Sequence, residues 1–222
     1  MAGAAGFQNS TVASGTYSIG AVTMAFVQRN YATPQSPQST LSVAYPGAQT
    51  AGDLNIVAVG WNDTTSTVSS VTDSQGNTYQ LAIGPTRGTN LSQSIYYAPN
   101  IKGGSNTVTV NFNQAAAYVD VRVLEYSGLS TTSPLDVKAG AAGSGTSASS
   151  GSATTTSANE LIFGAGMTVG SFGAAGTGFT SRIITSPDAD IAEDRVVSST
   201  GSYTATATNS SGAWVMQMAT FK

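Results

Sequence analysis

A nine-residue segment near the middle of the chain carries its densest pattern of aromatic and charged side chains. Tyr118, Asp120, Arg122, Leu124 and Tyr126 alternate with smaller residues, which puts them on one face of a β-strand. Sugar-binding surfaces use such groups, because a ring stacks on a pyranose while a carboxylate and a guanidinium hydrogen-bond its hydroxyls. The segment therefore predicts a carbohydrate-binding face. The alternative is an Asp–Arg pair on a solvated face with tyrosines packed beside it.

The two tryptophans of the chain lie at the ends of predicted strands. Trp61 closes an apolar run, and Trp214 opens another after a Ser-Ser-Gly turn. A tryptophan at a strand end can form a flat platform at the rim of a sandwich, so both join the predicted ligand-binding residues. The alternative is that they are core residues, as tryptophans in sandwiches usually are.

One short stretch holds four acidic residues. Asp188, Asp190, Glu193 and Asp194 lie within seven positions, and Ca²⁺ binds six to eight oxygen ligands of this kind. The spacing is not that of an EF-hand. We therefore expect at most a structural calcium site at these residues, with a solvated loop as the alternative.

The residues that are missing exclude several classes of function. The chain has no His and no Cys, which removes catalytic triads, thiolate nucleophiles, disulfides and the common zinc sites. Eight basic residues against eleven acidic ones do not make a nucleic-acid-binding surface. A carboxylate pair would be the remaining catalytic device, and no spacing marks two carboxylates as facing each other. Binding without catalysis is therefore favoured. The acidic candidates for a catalytic pair are Asp120, Glu125, Asp188, Asp190, Glu193 and Asp194.

The elements that would position these residues are β-strands. Apolar residues recur with period 2, separated by Gly, Pro, Asn and Asp clusters. This predicts an all-β fold, either an antiparallel two-sheet β-sandwich or a barrel. The run Leu54–Trp61 is apolar on both faces and should be covered on both, whereas Thr107–Phe112 alternates and should be half solvated. Residues 139–157 are so rich in Ala, Gly and Ser that they suit either a flexible linker or a further strand.

An internal repeat is visible in the chain. Thr50–Ile56 resembles Ser157–Phe163, and Thr107–Tyr126 aligns without a gap on Tyr203–Lys222. The repeat predicts two related β units, at about residues 39–129 and 148–222. Either unit alone would be a marginal half-sandwich, so we expect one domain over residues 1–222 that shares a core.

Five runs of the chain carry a further signal: Ala48–Leu54, Val59–Asp63, Val71–Tyr79, Leu124–Gly128 and Asn159–Leu161. Together these runs resemble a β-sandwich module, jelly-roll-like or immunoglobulin-like, of large secreted bacterial multidomain proteins. The resemblance implies a role in adhesion or polysaccharide binding. Its motifs mark strands and turns, so it assigns no functional residues.

Composition favours a protein outside the cell. Lysines are few, Ser, Thr and Gly are abundant, and no run of 18 apolar residues could insert into a membrane. Met1–Gly6 lacks the features of a signal peptide, so we expect a piece of a longer secreted precursor with neighbouring domains. The expected partner is a polysaccharide or cell-surface glycan. The alternatives are a structural spacer, adhesion or assembly subunit without a small ligand, and a carboxylate-dependent glycan-active enzyme.

Overall fold

The computed structural model describes residues 23–222, and in this range it contains sixteen β-strands and no helix. The predicted all-β class is confirmed. The predicted strand Ala21–Arg29 begins outside the described residues, as does Met1–Gly6. The first eight strands are β1 (Ala25–Ala32), β2 (Gln38–Ala44), β3 (Leu54–Trp61), β4 (Val68–Asp73), β5 (Gln80–Gly88), β6 (Leu91–Ala98), β7 (Thr107–Ala116) and β8 (Asp120–Ser127). The second eight are β9 (Leu135–Ser144), β10 (Ser147–Thr154), β11 (Glu160–Thr168), β12 (Phe172–Ala175), β13 (Thr180–Ile184), β14 (Ile191–Val197), β15 (Ser202–Asn209) and β16 (Ala213–Phe221).

The strand order of the first half returns in the second half. Strands β1 to β8 form the antiparallel sheets β1-β8-β3-β6-β5 and β2-β7-β4, and β9 to β16 form β9-β16-β11-β14-β13 and β10-β15-β12. We call residues 25–127 unit 1 and residues 135–221 unit 2. In each unit the five-stranded sheet is the inner sheet and the three-stranded sheet is the outer sheet. The jelly-roll type and the single-domain assignment stay predictions.

The four sheets stack as layers with an apolar core in each gap. Inner and outer sheets of unit 1 meet through residues such as Val57, Val121 and Val110, and those of unit 2 meet through residues such as Ile162 and Ala205. The two inner sheets pack on each other through a third core. It contains the aromatic residues Tyr97, Tyr126, Phe163 and Phe221, packed among aliphatic residues such as Leu54, Ile56, Leu124 and Leu161. The predicted sandwich is confirmed, and it has four layers because each unit contributes two.

This layering explains the burial of the individual strands. All eight residues of β3 are buried, because β3 lies inside an inner sheet that is covered on both faces. In β7, Val108, Val110 and Phe112 are buried while Thr107 and Thr109 are half-buried, because this strand belongs to an outer sheet. Both predictions are confirmed.

The two inner sheets contact each other through equivalent residues. Tyr126 of unit 1 donates a hydrogen bond from its hydroxyl to Oδ2 of Asp194 of unit 2, at 2.8 Å. At the equivalent strand positions, Phe221 of unit 2 packs edge-on against Tyr97 of unit 1, with ring centroids 5.4 Å apart. The same two strand positions thus meet twice with the units exchanged, as in a two-fold symmetric dimer.

The gapless alignment of the repeat is wrong by one residue in the last strand. Leu54 pairs with Tyr126 in unit 1, and its equivalent Leu161 pairs with Phe221 in unit 2. Tyr126 therefore matches Phe221, whereas the alignment placed it on Lys222. A one-residue slip moves every side chain of a strand to the opposite face. The predicted bounds of 39–129 and 148–222 also leave out β1 and β9, which are the partners of β8 and β16.

The low-complexity stretch 139–157 forms strands and not a linker. It supplies most of β9 and all of β10, and β9 pairs with β16 along its length. Small residues are required there, because a Cβ on Gly143 would lie 2.5 Å from Cζ2 of Trp214. The composition of β9 is therefore explained by the space that Trp214 of the neighbouring strand takes up, and not by the β propensity of its own residues.

We expect Gly143→Ala to destabilise the protein by about 1–3 kcal/mol, since the added methyl group overpacks against the Trp214 ring. The matched control is Gly173→Ala in β12, where an added Cβ meets no atom within 4 Å. Chemical denaturation of both variants checks the prediction. Equal losses in the two variants would contradict it.

Candidate functional site

The face predicted to bind carbohydrate is buried between the two inner sheets. Asp120, Arg122 and Tyr126 are each at most 1% exposed. The prediction of an exposed binding face is wrong for these three residues. The alternation of β8 is as expected, but the face that carries the charges is covered by unit 2.

Arg122 is the centre of a polar network within this interface. Its Nε lies 2.6 Å from Oδ1 of Asp120 on the same strand. Its terminal nitrogens donate to the backbone carbonyls of Gly166 and Ile191 in unit 2, the former at 2.9 Å, and to Oε1 of Gln93 at 2.9 Å. The guanidinium therefore holds backbone of unit 2 against unit 1.

Two glutamines extend the network, and sequence analysis missed both. Gln93 donates from Nε2 to the carbonyl of Ala165 at 2.8 Å. Gln217 of unit 2 donates to the carbonyl of Gln93 and to Oγ1 of Thr86, both at 2.8 Å. Gln217 could have been found as a polar residue in the middle of an otherwise apolar strand, whereas Gln93 lies between two serines and gave no such signal.

Neither tryptophan is a rim platform. Trp61 is fully buried between the two sheets of unit 1, edge-on to Phe112 with ring centroids 5.4 Å apart. Trp214 is 8% exposed and packs over Gly143. The expectation that both would contact a ligand is therefore wrong, and the core alternative describes them.

The four acidic residues of the predicted calcium site point to different parts of the molecule. Asp194 binds Arg182 through two hydrogen bonds, of 2.7 and 3.1 Å. Glu193 accepts a hydrogen bond from the backbone N–H of Gly176 at 2.9 Å, on the other face of β14. Only Asp188 and Asp190 lie in a common cavity. The residues that the structure describes contain no cluster of three or more metal-ligating side chains.

A cleft of about 370 Å³ opens between the units at the end where β3 and β11 finish. We call it the inter-unit cleft. The cleft brings together residues that were predicted to bind calcium, a residue that was predicted to bind sugar, and others that the sequence did not indicate. Its lining residues are Gln35, Asn62, Tyr118, Thr168, Val169, Gly170, Pro187, Asp188 and Asp190.

Tyr118 is the one predicted ligand-binding residue that reaches solvent, with 49% of its surface exposed. Its backbone has a φ of +42°, which is unusual for a residue with a side chain. Asp63 holds the neighbouring loop, because its carboxylate accepts backbone N–H bonds from Ser66 at 2.6 Å and Ala117 at 3.2 Å. Burial alone raises the pKa of Asp63, but these hydrogen bonds outweigh burial and lower it. The ring is thus presented by a loop whose backbone is bonded in place.

Asp188 joins the two units across the opposite wall of the cleft. Nε2 of Gln35 in unit 1 donates to both carboxylate oxygens of Asp188, at 2.9 and 3.1 Å. Beside this contact, the hydroxyl of Thr33 donates to the carbonyl of Ser186 at 3.0 Å. The cleft therefore exists only where the two units are together.

Asp190 forms the floor of the cleft and is 1% exposed. Its Oδ1 accepts the backbone N–H of Thr168 at 2.9 Å. Burial, followed by the nearby charge of Asp120, raises the pKa of Asp190 well above its usual value, and Arg122 offsets this only in part. The raised pKa favours the neutral carboxyl, which can donate a hydrogen bond as well as accept one.

The chain matches no family model, no curated protein and no solved structure. Among residues 23–222 there is also no helix with the length and apolar character needed to cross a membrane. Function is therefore inferred from the geometry and chemistry of the residues themselves.

We expect Arg122→Ala to lower the free energy of unfolding by about 3–5 kcal/mol, because Asp120 would remain buried without its partner. Replacing the whole pair, as in the double variant Asp120→Leu with Arg122→Met, should cost less than Arg122→Ala. Urea denaturation of the three proteins tests this. A double variant less stable than Arg122→Ala would contradict the prediction.

We expect the protein to lose stability between pH 5 and pH 8. Burial raises the pKa of Glu193 to about 7 and the pKa of Asp53 to about 6. A raised folded-state pKa gives stability that is present below the unfolded pKa and is lost as pH rises through the folded pKa. For Glu193 the loss is about 3 kcal/mol.

The measurement is the free energy of unfolding across this pH range for the wild type and for Glu193→Gln. The variant has no titrating group at position 193, so its curve should be flatter. A curve for Glu193→Gln as steep as that of the wild type would contradict the assignment. Val196→Ala, at a side chain that is 54% exposed, serves as the control.

Proposed function

We propose that this protein is a non-catalytic carbohydrate-binding module whose ligand site is the inter-unit cleft. The observation that carries the proposal is the half-exposed Tyr118 at a cleft that also contains two amide side chains and the carboxylate of Asp188. An aromatic ring offers a stacking surface for a pyranose, and amides and carboxyls hydrogen-bond its hydroxyls.

The charge of the cleft favours neutral sugars over acidic ones. The lining residues that the structure describes include Asp188 and Asp190 but neither Lys nor Arg. An acidic sugar would bring a further negative charge beside Asp188 without a basic group to pair with it. Oligosaccharides of neutral hexoses and pentoses should therefore bind better than galacturonan.

Binding without hydrolysis is favoured by the state of the two carboxyl groups. Asp190 lies almost wholly out of reach of solvent at the floor of the cleft and bonds to the backbone of Thr168. Asp188 is held at the wall by Gln35. Both carboxyl groups therefore support loops, and each is already engaged by a protein donor.

The test is titration calorimetry with soluble xylo-, gluco-, manno- and galacturono-oligosaccharides. We expect dissociation constants of roughly micromolar to millimolar for a neutral oligosaccharide, because a few contacts must offset the cost of ordering the ligand. Tyr118→Ala should weaken binding about three- to tenfold, since a stacking contact contributes about 0.5–1.5 kcal/mol. Tyr118→Phe should bind like the wild type, because it keeps the ring.

The matched control is Val196→Ala, which changes a residue that is 54% exposed and does not line the cleft. If no oligosaccharide binds, or if Tyr118→Ala binds as well as Val196→Ala, the cleft is not the site and a structural spacer describes the protein better. Release of reducing ends that disappears in Asp188→Asn would instead favour a carboxylate-dependent enzyme.

A further inference from the structure

The outward surfaces of the two outer sheets share an unusual composition. Among the six strands of these sheets, as the structure describes them, the single charged residue is Asp73. The carboxylate of Asp73 is bonded within its own turn and the adjoining core, by donors that include Asn77, Tyr79 and Asn106. Exposed sheets ordinarily carry Lys and other charged side chains that prevent association. Both outer surfaces of this protein lack them.

The outward surface of unit 1 consists of regular rows of hydroxyl and amide groups. In one row across β2, β7 and β4, Thr40 donates to Oδ1 of Asn111 at 2.9 Å, and Asn111 donates to Oγ of Ser70 at 3.0 Å. In the next row, the hydroxyls of Ser42 and Thr109 are 2.9 Å apart. These bonds link the polar groups along each row. We call the following six residues the unit-1 hydroxyl face: Thr40, Ser42, Ser70, Thr72, Thr109 and Asn111.

Unit 2 carries a corresponding surface made from different residues. On β10 and β15, Ser147 lies opposite Thr208, Ser149 opposite Thr206, and Ser152 opposite Thr204. The intervening Ala205 and Ala207 point into the core, so the hydroxyls point outward. The unit-2 hydroxyl face consists of Ser147, Ser149, Ser152, Thr204, Thr206 and Thr208.

The two hydroxyl faces lie on opposite sides of the molecule, and their residues follow the regular strand spacing except at a β-bulge between Ser149 and Ser152. Neighbouring strands are about 4.8 Å apart, and side chains on one face recur about every 6.8 Å along a strand. With about 10 Å between layers, the two faces are about 30 Å apart. Each face is therefore an array of uncharged donors and acceptors that follows the twist of its sheet, and the molecule has two of them.

We infer that the two hydroxyl faces bind the flat surfaces of an insoluble, neutral polysaccharide, and that one molecule can hold two such surfaces together. The inference rests on the proposed carbohydrate function but uses residues outside the inter-unit cleft. A face without charge offers no pairing group to an acidic polymer or a nucleic acid. A neutral polymer surface presents ordered hydroxyls that complement rows of Ser and Thr, and many weak contacts on one surface add to useful affinity.

The test is co-sedimentation with particles of crystalline cellulose, chitin and insoluble mannan. We expect the wild type to sediment with at least one polymer and to cross-link its particles. Thr109→Lys or Thr206→Lys should abolish cross-linking while leaving sedimentation, because one face remains. The double variant should partition about tenfold more weakly, since both faces are then interrupted by a charge.

The control is Val196→Lys, which adds the same charge at a position that is 54% exposed on β14, outside both faces. Thr109→Val with Thr206→Val keeps the side-chain shape without the hydroxyl, and serves if the lysine variants do not fold. Loss of sedimentation in Val196→Lys equal to that in the double variant would overturn the inference, as would full binding by both double variants.

Further outcomes separate this inference from the cleft proposal. If Tyr118→Ala alone abolishes sedimentation, the polymer binds at the cleft and the hydroxyl faces are not its site. If the faces bind particles while soluble oligosaccharides show no binding, the cleft proposal fails and the face inference stands. Inhibition of ice recrystallisation without sedimentation on any polymer would overturn the inference in favour of an ordered water surface.

Discussion

The contact between the two inner sheets is the constraint on which the rest of the structure depends. It covers the second face of β3 and β11, which allows both strands to be apolar throughout, and it surrounds the Asp120–Arg122 pair that would otherwise face water. Because a buried arginine requires many acceptors, its bonds to carbonyls of unit 2 limit how the units can be placed. The inter-unit cleft is a result of that placement, since one wall comes from each unit.

The sequence was sufficient to predict the strands and their apolar faces, but not to predict whether water or another part of the protein covers each face. The continuous apolar run at β3 predicted burial on both faces, and β7 was predicted half-solvated. For β8 the alternation was identified correctly, yet its charged face was assigned to a ligand. Alternation distinguishes two faces of a strand; it does not distinguish water from a second unit, whose residues in contact with β8 lie 44 to 69 positions further along the chain. For residues 139–144 of β9 the sequence left a linker and a strand equally open, because Ala and Gly have little β propensity; the structure shows that Gly143 packs against the Trp214 ring.

For the candidate site, too, the sequence indicated individual residues but not which of them lie together. Tyr118, Asp188 and Asp190 were all singled out from the sequence, but for two unrelated sites, and the structure brings them to one cleft. Gln35 and Asn62 had no signal, since a single amide side chain in a loop has no periodicity and no motif. The lining residues lie together because loops of the two stacked units meet at one end of the molecule. The position of those loops follows from the packing of strands that do not line the cleft.

The near-symmetric contact between the units lies within one chain, which changes how their association depends on protein concentration. Two separate chains that met through such an interface would come apart on dilution, and their pairing would have to be re-established by diffusion. Here the seven residues 128–134 connect the partners, so the local concentration of one unit around the other is set by a short tether and does not change with the amount of protein. The cleft would therefore be complete in a single molecule at any dilution.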